Sequence, residues 1–203
     1  MAAKQLDLVI EQGKTFSRVI RWETENLVWR AITAIDQVAP MRVTSLAHGI
    51  PDGWRAAITD VVGMLQANAL HTPPWDNELQ LVAFAGASAV LFPNVSAASF
   101  DPYESGGYLV YYDPADLAGM TARMKIKDQV GGNELESIVT KAGTGFVIDD
   151  LAKTITLTIT PVDTALFEWQ TGVYDLEMVD GSSGDVVAIL SGAVTVTEEV
   201  TTA

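Results

Sequence analysis

Apolar and polar residues alternate with a period of two along much of the chain. Leu6, Leu8 and Ile10 interleave with Asp7, Val9 and Glu11, and Phe16, Arg18, Ile20 and Trp22 follow after Gln12, Gly13 and Lys14. Residues two apart share one face of a strand, so these runs predict an antiparallel hairpin. The clearest strand is 153–160, where Ile155, Leu157 and Ile159 alternate with Thr154, Thr156, Thr158 and Thr160. A large aliphatic face opposite a threonine face is what a half-buried sheet demands. Further strands are predicted at 122–127, 138–141, 173–179, 186–190 and 193–200, with a turn at 180–185.

Helical signal is sparse. Residues 161–167 predict one or two turns, with Thr160 as N-cap, Pro161 in the first helical position and Asp163 in the first turn. A second short turn is expected at 113–119. Strands every 8–12 residues, separated by Gly, Asn, Asp and Pro, argue for an all-β sandwich or barrel. The uncharged run 79–100 is long enough to span a bilayer. Its densest part, 81–92, is interrupted by Gly86 and Ser88, and no Lys or Arg flanks it, so it reads as two buried strands around a Gly turn. The first residues, Met1 to Asp7, lack an apolar h-region, so no secretory signal is expected. Character changes near residue 31: 31–107 is rich in Ala and Pro, and regular alternation resumes at Tyr108. The expected organisation is an outer domain of 1–30 and 108–203 carrying an inserted small β module at 31–107.

Charge sharpens this picture. The 203 residues carry 26 acids and 12 bases, a formal net charge of −14. Such a surface repels phosphate backbones and anionic leaflets, so neither nucleic-acid binding nor membrane insertion is expected. The imbalance is blocked: 56–122 and 154–203 contain no Lys or Arg, whereas 123–153 holds five of them with five acids. The two base-free blocks are expected to form two acidic docking faces on one scaffold.

Chemistry-bearing patterns are few. Cys is absent, which removes disulfides, thiol catalysis and thiolate metal sites. His48 and His71 are the only histidines; the first reads as a satisfied imidazole and the second as an exposed loop residue. The stretch 142–146 is Gly-rich but opens no helix, so it reads as a β-turn rather than a phosphate cradle. Gly131, Gly132 and Asn133 read as a hairpin tip. The acid pairs Asp149/Asp150, Asp180/Asp185 and Glu198/Glu199 lack calcium-loop spacing. A two-carboxylate glycosidase needs a gap that sequence does not measure. No catalytic residue, metal ligand or cofactor site is assigned, and the chain is expected not to be an enzyme. Trp22, Trp29, Trp54 and Trp169 read as core or interface anchors. Tyr103, Tyr108, Tyr111 and Tyr112 cluster where the insert rejoins the outer domain; with Trp75 they form the candidate interface set.

These residues carry a resemblance. The segments LDLVIEQGKTF at 6–16, DLAGMTARM at 116–124, ITLTIT at 155–160, GVYDLE at 172–177 and LSGAVTV at 190–196, with Glu199 and Thr201, resemble the immunoglobulin-like N-terminal domain of phage baseplate upper proteins and similar tail-associated proteins. The insert carries ITAI at 32–35, Ala39-Pro40, Val43-Thr44, His48-Gly49, Asp52-Gly53, Gly63-Met64, Asn68, LFPNVS at 91–96 and YESGG at 103–107. It resembles the small phage β module likened to the first catalytic-cysteine half-domain of ubiquitin-activating enzymes. Without Cys, thioester chemistry is excluded.

The resemblance implies an all-β fold, an immunoglobulin-like β-sandwich with an inserted small β-barrel-like module. It implies a structural protein of the virion, made in the host cytoplasm. The protein would be tail- or baseplate-associated, a passive adaptor between tail machinery and fibre or neighbouring subunits. Expected partners are other virion proteins (tail, fibre or portal-proximal components) and further copies of the chain in a symmetric homo-oligomer. The competing expectations are a capsid decoration or head-fibre protein, and a glycan-binding or glycan-hydrolysing module for which Trp75 and Asp76 are the most suggestive pair.

Overall fold

The structure, a computed structural model, describes residues 3–141 and 144–199. The chain divides into two compact units, Met1–Trp22 with Asp116–Ala203 and, inserted between them, Glu23–Ala115. In chain order the strands are β1 (Lys4–Gln5), β2 (Leu8–Glu11), β3 (Phe16–Ile20), β4 (Glu23–Ala31), β5 (Ala34–Asp36), β6 (Met41–Thr44), β7 (Arg55–Val62), β8 (Gln80–Leu81), β9 (Ala83–Phe84), β10 (Ala89–Phe92), β11 (Ser105–Pro114), β12 (Met120–Lys127), β13 (Glu134–Val139), β14 (Gly145–Asp149), β15 (Thr154–Ile159), β16 (Thr171–Asp180) and β17 (Val186–Thr197). One short helix, α1 (Pro161–Thr164), follows β15, and the Thr160 side chain caps it by accepting from Asp163 N–H. No helix among the described residues is long and apolar enough to cross a membrane.

The outer unit holds a six-stranded sheet, β1-β17-β16-β12-β13 with β2 also on β17, and a three-stranded sheet, β14-β15-β3. Ile155, Leu157 and Ile159 of β15 are buried, as their alternation requires, together with Leu8, Ile10, Met124, Ile126, Leu176, Met178, Val194 and Val196 from the larger sheet. The space left among Leu8, Ile20, Met124, Leu157 and Leu176 is only about 10 Å³, so this interior is closely packed. The fold is all-β, as the alternation demands, and it is made of several open sheets.

Two strand expectations are corrected. Residues 6–11 and 16–22 do not pair with each other. Leu8 lies opposite Val194 in a parallel β2–β17 pair, and Phe16 lies opposite Ile159 in an antiparallel β3–β15 pair. The turn at 12–14 therefore carries the chain between sheets. Alternation places each apolar set on one face but leaves the partner strand unspecified. The second correction merges 186–190 and 193–200 into the single strand β17, ending at Thr197; Val200 lies outside the described residues. Ser191 and Gly192 do not break it, because the chain at Leu6 runs against them and Leu6 N–H donates to Ser191 O at 2.9 Å.

The inserted unit consists of two four-stranded sheets, β5-β6-β10-β9 and β4-β11-β7-β8. Neither closes on itself, so the barrel-like expectation gives way to two open sheets. Ile35, Met41, Val43, Val90 and Phe92 from one sheet and Ala56, Ile58, Leu109 and Tyr111 from the other share one core with Trp54 and Met64. This unit starts at Glu23 rather than at 31 and ends at Ala115 rather than at 107. The reason lies in pairing: β4 and β11 run antiparallel from Tyr108 opposite Ala31 to Pro114 opposite Glu23, and β11 also pairs β7. Both flanks of the expected insert thus belong to its own sheet. The inserted unit holds three bases and ten acids and the outer unit nine and sixteen, so each carries −7.

Candidate functional site

The tyrosines that the sequence groups together are separated by the pleat of β11. Tyr111 is buried, 2% exposed, and its hydroxyl donates to His48 O. Burial pushes this phenol up from its usual range, against the lowering influence of Arg30. Tyr111 is therefore a core residue, which corrects its assignment to an interface. Tyr112 is half-buried, and its carbonyl accepts from Trp54 Nε1 at 2.8 Å. Tyr103 is half-buried, with its hydroxyl against Gly106 O at 3.0 Å and Ile32 O at 3.2 Å.

Tyr108 faces the other way. It is 43% exposed and meets Trp29, 38% exposed, edge to face with ring centroids 5.9 Å apart. Trp29 sits on β4, the nine-residue strand that pairs β11 alone among the described residues. β4 is thus the edge strand of this sheet, beside an exposed aromatic pair, and of its backbone groups Ala31 O accepts from Ser45 Oγ at 2.9 Å. The sequence pattern marks Trp29 and Tyr108 separately but does not pair them, because it places β4 in the outer domain. The available signal was that Trp29 and Tyr108 flank the two ends of the expected insert.

The remaining candidate, Trp75, lies apart on the 65–81 segment of the same unit. It is 59% exposed and stacks on His71 with ring centroids 3.5 Å apart and planes 12° from parallel. Glu78 organises the loop: Oε1 accepts from Leu70 N–H at 2.6 Å, and Oε2 accepts from Trp75 N–H at 2.8 Å and meets His71 Nδ1 at 3.1 Å. The Trp75 N–H is the largest influence holding this carboxylate below its ordinary range. Next to it, Arg55 bonds Glu23 through Nε (3.0 Å) and Nη2 (2.6 Å), and reaches Asp76 at 3.0 Å. These carboxylates raise the guanidinium's pKa, the Glu23 hydrogen bond most of all. No sequence spacing announces this Glu23–Arg55–Asp76 relay, because its members come from β4, β7 and a loop.

His48 is buried; its Nδ1 accepts from Ile50 N–H at 3.0 Å, so Nε2 donates to Gly86 O at 2.9 Å. This is the satisfied imidazole expected from its context. Two of the acid pairs, Asp180/Asp185 and Asp149/Asp150, serve turns. Asp180 accepts from Ser182 N–H and Oγ–H and from Ser183 N–H, and these bonds, led by the Ser182 hydroxyl, lower its pKa. Asp149 accepts from Ala152 N–H, and Asp150 from Leu117 N–H and Lys153 Nζ. Ala142 and Gly143 of the Gly-rich stretch lie outside the described residues. Trp54 is a core residue, whereas Trp22 and Trp169 are half-buried, the latter stacked 5.1 Å from Phe167.

The expected acidic face of 154–203 is corrected in the outer sheet. Arg123 Nε lies 2.6 Å from Glu177 Oε2, and Lys125 sits opposite Asp175 in the β12–β16 register. Bases of one sequence block interleave with acids of the other, because those strands are neighbours. They line a groove of about 620 Å³ with Gln5, Asp7 and Tyr174. No family model matches the chain, and no curated protein matches it.

Proposed function

We propose that this chain is a structural subunit of a phage virion, tail- or baseplate-associated, joining tail machinery to a fibre or to neighbouring subunits. The observation that carries the reading is the edge strand β4, which has β11 as its single strand neighbour among the described residues, beside the exposed Trp29–Tyr108 pair. An open edge can take a further strand through backbone hydrogen bonds, and a flanking aromatic pair adds apolar area that water leaves on docking. The segment resemblances to phage baseplate proteins supply the setting.

The test has two parts. Light scattering at micromolar concentration should show an oligomer, or the chain should bind isolated tail components. Trp29→Ser with Tyr108→Ser should abolish that association and leave the monomer's thermal transition within a degree or two, since exposed substitutions cost about 0.5 kcal/mol or less. A monodisperse monomer with no affinity for virion proteins would sink the proposal. Labelled antibody that decorates heads instead of tails would replace it with a capsid-decoration role.

A further inference from the structure

Trp75 is the most exposed of the five tryptophans and packs against a loop histidine instead of a core. His71 stacks on one face of the indole almost in parallel, at 3.5 Å. The residue is nevertheless 59% exposed, so a large part of the indole not covered by His71 is accessible to a ligand. The ring is held by its stack on His71 and by a tied backbone. The backbone N–H of Trp75 is tied to Glu78, which also takes Leu70 N–H, and the following residue, Asp76, is tied through Arg55 to Glu23. A ligand that stacks here meets a ring that is already ordered, so little side-chain entropy is lost on binding.

We propose that Trp75 is the platform of a saccharide site that takes the C–H face of a neutral pyranose ring. Three observations favour this ligand class. The presented surface is a flat aromatic face, which suits a ring of similar size better than a side-chain pocket. The residues that follow on the same 3₁₀ turn, Asp76 and Asn77, are both exposed and supply acceptors and an amide donor for sugar hydroxyls. The neighbouring charges are acidic except for Arg55, which is engaged by Glu23 and Asp76, so a neutral ring is preferred to an anionic one. A protein anchored on Trp75 would also exploit an exposed indole. The parallel His71 stack argues against that reading, because it keeps the indole from turning edge-on into a partner's pocket.

The experiment uses the full chain labelled with ¹⁵N and titrated with maltohexaose, chitotetraose or a galacto-oligosaccharide. The chain has five Trp, and the Trp75 indole signal is assigned by its disappearance in Trp75→Phe. At least one oligosaccharide should shift the Trp75 indole signal, with a Kd on the order of 1 mM as expected for one stacked ring. Trp75→Ala should weaken that binding about ten-fold or more, and Asp76→Asn should weaken it less. An unchanged thermal transition in Trp75→Ala shows that the loss is not unfolding. A Trp75 signal unmoved by all three sugars at about 10 mM overturns the proposal, as does undiminished binding by Trp75→Ala. A signal that answers a purified virion protein and none of the sugars overturns it in favour of a protein anchor. The assembly role proposed above rests on β4 and stands or falls separately.

Discussion

Gly192 on β17 and Leu6 in the N-terminal segment approach so closely that a Cβ at Gly192 would lie 2.3 Å from the Leu6 carbonyl oxygen and 2.8 Å from its carbon. The contact is between backbones, so no side chain can swing aside. It lets β1 and β2 both run parallel to β17, with Leu6 and Asp7 forming the link between them. Gly192→Ala should destabilise the outer unit by about 1–3 kcal/mol, the usual cost of overpacking. Chemical denaturation with an unchanged m-value would check this; a loss under about 0.5 kcal/mol would mean the N-terminal segment is not held where described.

Leu6 O has a second role as acceptor from the Tyr174 hydroxyl at 2.7 Å. Burial, reinforced by Asp7, raises the Tyr174 pKa from 10.0 to about 12. Between those values the unfolded chain has lost the phenolic proton and the folded chain keeps it. Stability from this group is thus complete below pH 10 and falls as pH rises toward about 12. Absorbance at alkaline pH should show late tyrosine titration to which both Tyr174 and Tyr111 contribute, and Tyr174→Phe should remove one tyrosine's share of it while costing about 1 kcal/mol at neutral pH.

Arg55 joins two carboxylates of the inserted unit, one of them the nearly buried Glu23. Arg55→Met should leave Glu23 facing a low-dielectric site without its guanidinium, costing about 2–3 kcal/mol. Adding Glu23→Gln should recover part of that loss. A double-mutant cycle with no coupling would contradict the geometry.

Glu78 sets the acid limit of the Trp75 loop. Its carboxyl is held below the ordinary glutamate value of 4.5, so its contribution is present above that pH and is lost as pH falls through the lower folded-state value. The Trp75–His71 stack should therefore persist through the ordinary glutamate range and release only below it, seen as a change in tryptophan fluorescence. Glu78→Gln should loosen the stack at neutral pH and erase that acid step.

Several of these features are legible in the chain itself. The threonine–aliphatic alternation of β15 predicts its burial pattern residue by residue, and Thr160, Pro161 and Asp163 predict α1. Trp75 beside Asp76 is visible as a suggestive pair, but the stacked His71 is not, because that contact depends on how the loop turns back through Glu78. Tyr108 and Tyr111 read alike in sequence, yet they project to opposite faces of β11, one toward Trp29 and the other toward His48.

Local patterning determined that this protein is all-β, where most strands of the outer domain fall, and that an insert interrupts that domain. Alternation and turn chemistry act between near neighbours, so a single sequence suffices to read them. Tertiary structure alone decided that β2 joins β17 rather than β3, that β4 belongs to the insert, and that Arg123 lies beside Glu177. Those outcomes are set by which distant strands bury one another's apolar faces, and a period-two pattern carries no information about the partner.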